Sequence, residues 1–172
     1  MYTEERKERT EAIGSFRLPR YEEIPNVGLY LEQVAKYISE YLEPLGNDPV
    51  TGSMISNYVK KKLVSNPIRK QYDREQIAVL IFISVAKKVL RIEDIGLLIS
   101  LYLGGYPTDT AYNYFCLEFE NVLQNVFGLK DHLDQVGDTA SKEKTILRTT
   151  IIAVAHKVYL DKCFEELHAE SE

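Results

Sequence analysis

Apolar residues recur at helical spacing along most of this chain, and the interruptions between them mark out its elements. Leu31, Val34, Ala35, Ile38, Tyr41 and Leu42 fall on one helical face. Pro44, Gly46 and the cluster Asn47-Asp48-Pro49 stop that helix and make a turn. Thr51 is placed to cap the next helix. Its inward stripe is Met54, Ile55, Tyr58, Val59 and Leu63; its outward one is Ser53, Ser56, Asn57, Lys60 and Lys61. Asn66-Pro67-Ile68 cannot continue it, because Pro67 pushes Asn66 towards an extended conformation. Residues 68–72 leave room for a short two-stranded wing carrying Arg69 and Lys70. Asp73, with Gln76 three residues on, caps a further helix. The apolar set of that helix is Ile77, Leu80, Ile81, Ile83 and Val85, and Lys87-Lys88 complement the dipole at its end. A short helix follows from Arg91 to about Tyr102, stopped by Gly104-Gly105-Tyr106-Pro107.

The remainder predicts two long helices. One spans about 108–127, with Tyr112, Phe115, Phe119, Val122, Leu123 and Val126 as its stripe and Gly128 after its end. The other starts near Thr139 and runs to about Leu167, with Ile146, Leu147, Ile151, Val154, Ala155, Val158, Tyr159 and Phe164 on a wide apolar surface. A helix apolar around so much of its circumference is buried on several sides, which points to a C-terminal helical hairpin that dimerises. Residues 1–14 are polar and are expected to be disordered or frayed. The division expected is therefore 15–105 and 106–172, and a chain ending near Gly105 is expected to stay folded as a monomer.

Composition adds little, but charge adds a good deal. The 172 residues are 45% hydrophobic and 27% charged, as is ordinary for a globular protein. No apolar run reaches the ~18 residues of a membrane span, and Met1 to Glu11 contain no apolar leader segment. Cys116 and Cys163 read as buried thiols and not as a disulfide, so the expected location is the cytoplasm. The net charge is −5, yet residues 51–91 hold nine Lys and Arg against two acids, a local +7. Phosphate binding needs local positive charge, not a basic average. Serine, asparagine and lysine on one helix face suit base edges and phosphates, and none blocks close approach.

These residues resemble something known. Thr51-x-x-Met54-Ile55-x-Asn57-Tyr58, Leu63-Val64, Pro67, Lys70-x-Tyr72, Leu80, Ile83 and Arg91-Ile92-Glu93-Asp94-Ile95 are similar to the MerR-type winged helix-turn-helix. Lys62 stands where that family usually has glycine, the wing is shorter and lacks the usual Gly-Tyr-Arg, and the turn before the recognition helix is lengthened by residues 44–49. Residues 18–103 together resemble an uncharacterised bacterial family of unknown function, the YkrK-like proteins common in Firmicutes. Leu18-Pro19-Arg20, Leu29-Tyr30-x-x-Gln33-Val34 and the run Met54 to Lys60 carry that likeness. The MerR likeness implies a winged helix-turn-helix with a short β-wing; with the C-terminal hairpin expected from the periodicity after residue 105, where the likeness does not extend, the fold expected is all-α. The likeness also implies double-stranded DNA as the partner, a homodimer, and transcriptional regulation as the function. Ser53, Ser56 and Asn57 are then the base readers; Lys60, Lys61, Arg69 and Lys70 are the phosphate contacts.

Other chemistry is thin. His156 and Cys163 lie seven apart on one helix, but two ligands do not close a zinc site, and a core or interface histidine is expected. No phosphate-cradling glycine loop or nucleophile elbow occurs. Tyr102, Tyr106, Tyr112 and Tyr114 read as aromatic packing between helices. No enzyme, metal, cofactor or membrane is expected, and no effector can be named. The alternative function is an adaptor that binds an acidic protein with the same module.

Overall fold

Two capping residues read from the sequence, Thr51 and Asp73, set the starts of two of the helices. The computed structural model describes residues 2–46, 48–136 and 141–171. Its helices are α1 (Tyr2–Gly14), α2 (Leu31–Leu42), α3 (Gly52–Lys60), α4 (Arg74–Ala86), α5 (Ile92–Leu103), α6 (Thr108–Val126) and α7 (Lys142–Ala169). Thr51 Oγ1 accepts from the Met54 N–H at the start of α3. Asp73 and Gln76 exchange two bonds of 2.8 Å at the start of α4, a capping box. Ser141 caps α7 by accepting from the Lys144 N–H. Asn47 of the predicted turn and Thr139, the predicted start of the last helix, lie outside the described residues.

The short β-segment after Pro67 differs from expectation in its pairing. Strand β2 (Gln71–Tyr72) pairs antiparallel with β1 (Leu29–Tyr30), Leu29 opposite Tyr72 and Tyr30 opposite Gln71. Ile68 adds a single bridge to Gln71. The positive φ of Gly28, +74°, turns the chain into β1.

Three sequence expectations meet a different arrangement. Residues 2–14 are helical, with Ile13 only 1% exposed. One apolar anchor near the end of a polar segment escapes any compositional reading. Nor does packing part at residue 105. Tyr112 Oη donates to Pro19 O at 2.7 Å, Tyr21 N–H donates to Asn113 Oδ1 at 2.9 Å, and the Phe82 and Phe115 rings meet edge-on at 5.1 Å. The physical cause is the irregular stretch 15–28. Apart from one 3-10 turn at Tyr21–Glu23, its backbone polar groups have no regular helix to pair within, and side chains of α6 supply several of their partners.

The last two helices do not form a hairpin. Lys144 Nζ lies over the Tyr114 ring, Arg148 Nε is 2.9 Å from Glu118, and the Tyr159 ring meets Phe127 at 5.3 Å. Both series of numbers rise together, so α6 and α7 run parallel. A connection leads back along α6 between them, and Asn121 fastens it through paired 3.0 Å bonds to the backbone N–H and C=O of Asp134. Among the described residues no helix is long and apolar enough to cross a membrane.

Candidate nucleic-acid interface

The approach to α3 is fixed by buried apolar residues and one hydroxyl. Leu45 and Val50 are buried in the connection from α2. Ser39 Oγ accepts from the Val50 N–H at 2.9 Å and donates to Val50 O at 3.2 Å. Within α3, Ile55 and Tyr58 are buried, and burial pushes the Tyr58 phenol up. The opposite face is open: Ser53, Ser56, Asn57 and Lys60 are all exposed, and so is Lys61 just beyond.

The helix ends in a Schellman motif. Lys62 N–H donates to Val59 O at 2.9 Å and Leu63 N–H to Tyr58 O at 3.0 Å. The motif requires a left-handed residue, and here it is Lys62 at φ +62°. The chain then passes Pro67 and makes a two-residue hairpin turn. Ile68 and Gln71 exchange bonds of 3.1 and 2.9 Å, while Arg69 and Lys70 stand between them at φ +52° and +64°. Asn-Gly is the usual occupant of such a turn. A side chain in this backbone region costs roughly 1–2 kcal/mol against the right-handed one. Arg69 and Lys70 are both exposed.

The base of this hairpin is held firmly. The buried Gln76 side chain donates from Nε2 to Ser65 O, Ser65 Oγ and Asn66 O at 2.9–3.1 Å. Tyr72 is buried as well. The seven predicted site residues therefore lie on two exposed segments, α3 with its C-terminal Lys61 and the hairpin, joined by residues 62–67.

Eight of the nine cations of residues 51–91 divide by use. Arg74 donates to Ile24 O at 2.8 Å and Glu22 O at 3.2 Å and covers the Tyr21 ring. Arg91 pairs with Asp94 at 3.1 Å. Lys87 is half-buried beside Met54 Sδ, and desolvation lowers its pKa. Lys60, Lys61, Lys62, Arg69 and Lys70 are exposed, and none belongs to a described ion pair.

Sequence reasoning left three residues out of this surface: Lys62, Ile68 and Tyr30. The signal for Lys62 was present, since it occupies a position where glycine is usual. Ile68 is 75% exposed at the root of the turn. Tyr30, exposed and opposite Gln71, joins through strand pairing that a two-residue strand does not announce.

Other candidates resolve as packing. Tyr102 lies against Tyr106 and Tyr114, with ring centroids 5.2 and 6.4 Å apart, and Lys144 stands over the latter two rings. His156 is exposed, not a core residue. Cys116 is buried and its thiol pushed up to about 12, whereas Cys163 is only half-buried, and no disulfide joins them. Among the described residues no three metal-ligating side chains cluster.

No curated protein and no solved structure matches the chain. Residues 19–115 match a family described as a domain of unknown function, DUF1836. The match runs past residue 105 into α6, as the continuous packing there would require. Since it spans more than half of the 172 residues, the chain belongs to the DUF1836 family.

Proposed function

We propose that this protein binds double-stranded DNA in a sequence-specific manner, as a cytoplasmic transcriptional regulator, through a winged helix-turn-helix of MerR type. One observation carries the reading. An acidic protein presents five exposed cations outside any described ion pair, three on and just after a short helix and two at the tip of the following hairpin, and the rest of that helix face is Ser53, Ser56 and Asn57. In this reading α3 lies in the major groove, with the serines and Asn57 at base edges, and Lys60, Lys61, Arg69 and Lys70 at phosphates. The partner is duplex DNA, met by a homodimer.

Selection from a random duplex library with the purified protein is the test. Enrichment of a motif, with binding lost as salt rises, is expected. A protein that enriches nothing and binds no duplex at low salt sinks the reading.

The second reading is an adaptor for an acidic protein. The exposed Ile68 beside Arg69 favours it, because an apolar side chain among cations suits a protein surface better than a phosphate backbone. An adaptor would purify free of nucleic acid even at low salt.

A further inference from the structure

Among the described residues, every non-glycine residue with a left-handed backbone is a cation. They are Lys62, Arg69 and Lys70, within nine positions of one another. Elsewhere such positions go mostly to glycine and asparagine, which adopt the conformation at little or no cost. Among the described residues, these three side chains make no contact of their own that offsets the strain. All three side chains are exposed, so they gain no burial, and none is in a described ion pair.

The conformations persist because the surroundings over-determine them. Two Schellman bonds hold Lys62, two cross-turn bonds hold Arg69 and Lys70, and the Gln76 amide with the β1–β2 pair anchors the hairpin below its tip. Strain kept at the surface by residues of one charge sign points to a requirement for that charge at that place. A tip so fixed also loses little freedom when it meets a ligand.

We propose that Lys62, Arg69 and Lys70 form one rigid phosphate clamp on duplex DNA, retained as cations against the backbone preference of their positions. The clamp rests on the DNA reading above and adds Lys62 to it. It makes a prediction that charge alone does not: removing these side chains strengthens the fold while weakening binding.

The experiment compares the wild type with Lys62→Gly, the pair Arg69→Asn/Lys70→Gly, and the triple variant. Each protein is melted, and each is titrated with a random-sequence duplex across a salt series. Lys62→Gly is expected to melt about 2–4 °C higher, the shift that relief of one such position gives in a chain of this size. The slope of log K against log salt should fall by about 0.9 for each phosphate contact removed. Lys62→Arg, which keeps the charge, should keep the wild-type slope. A triple variant that binds with wild-type affinity and slope overturns the clamp and leaves the DNA reading standing. Variants that melt lower than the wild type overturn the strain argument. A wild type that binds single-stranded RNA or an acidic peptide but no duplex overturns the DNA reading, and the clamp with it.

Discussion

Arg20 ties the irregular stretch 15–28 to α6. Its guanidinium donates to both oxygens of Glu120 at 2.6 and 2.9 Å and to Leu18 O at 3.1 Å, and Glu120 in turn accepts from the Leu18 N–H. Both side chains are mostly buried. Arg20→Ala leaves a part-buried carboxylate on α6 without its cation and should cost about 2–4 kcal/mol in a urea titration. Arg20→Lys should recover little of it, because an ammonium cannot span both oxygens. An exposed neighbour gives a purely local readout. The Arg17 side chain and the Arg20 N–H hold the Glu23 carboxyl well down, to about 2. A depressed carboxyl contributes stability above its unfolded pKa and loses it as pH falls towards 2. Carbon-detected titration should find Glu23 near 2 and Arg17→Gln should raise it; a Glu23 that titrates with the other glutamates contradicts the geometry. At the candidate interface, Asn57→Ala should change which sequences are selected, since asparagine can bridge the donor and acceptor of adenine for about 1–3 kcal/mol of discrimination. Identical selected sites for the two proteins would remove Asn57 from the base readers.

Among the elements, α3 and α4 were legible because their caps and stripes lie within one turn of each other: Thr51 with Met54, and Asp73 with Gln76. The exposed face of α3 followed from the same periodicity. The partner of β2 was not legible, because Leu29 and Tyr30 read equally well as the first turn of α2. Nor did the pattern show the direction of α7. A stripe says which side of a helix is buried, not which way its neighbour runs. The parallel pairing places Glu118, at 1% exposure, opposite Arg148. The 2.9 Å approach is off the hydrogen-bonding line, and both carboxylate oxygens lack a hydrogen bond. Desolvation therefore outweighs the guanidinium and raises the Glu118 pKa. A raised carboxyl favours the folded state while protonated, so stability is lost as pH climbs from about 4.3, the unfolded value, through the folded one. Glu118→Gln should abolish that loss. Urea midpoints of the wild type should fall relative to the variant across this window and run parallel to it above. Curves parallel throughout would show that Arg148 and its surroundings hold Glu118 ionised at no cost.

At the scale of the whole molecule, the continuous packing changes what a truncation can report. A chain cut at Gly105 loses Tyr112, Phe115, Cys116 and Phe119, all buried, and takes from Pro19 O its Tyr112 donor and from Arg20 its Glu120 carboxylate. It should unfold instead of forming the monomeric half expected from the sequence. The informative cut lies further on. α6 ends at Val126, and Tyr159 packs beside Phe127. The last ten residues of α7 therefore extend about 15 Å past the end of its neighbour. That extension carries Leu160, Phe164 and Leu167, 49, 56 and 55% exposed, at one-face spacing. We expect this stripe to meet the same stripe of a second copy, because two-fold pairing is the commonest closure for a self-complementary face. Light scattering should then give twice the 19.8 kDa chain mass, and Phe164→Glu/Leu167→Glu should give a folded monomer. Two copies would present two α3 helices, and the selected DNA site should be a pseudo-palindrome with half-sites roughly one helical turn apart. A wild type that stays near 19.8 kDa at tens of micromolar defeats the dimer, and an asymmetric single site is then the expected product of selection.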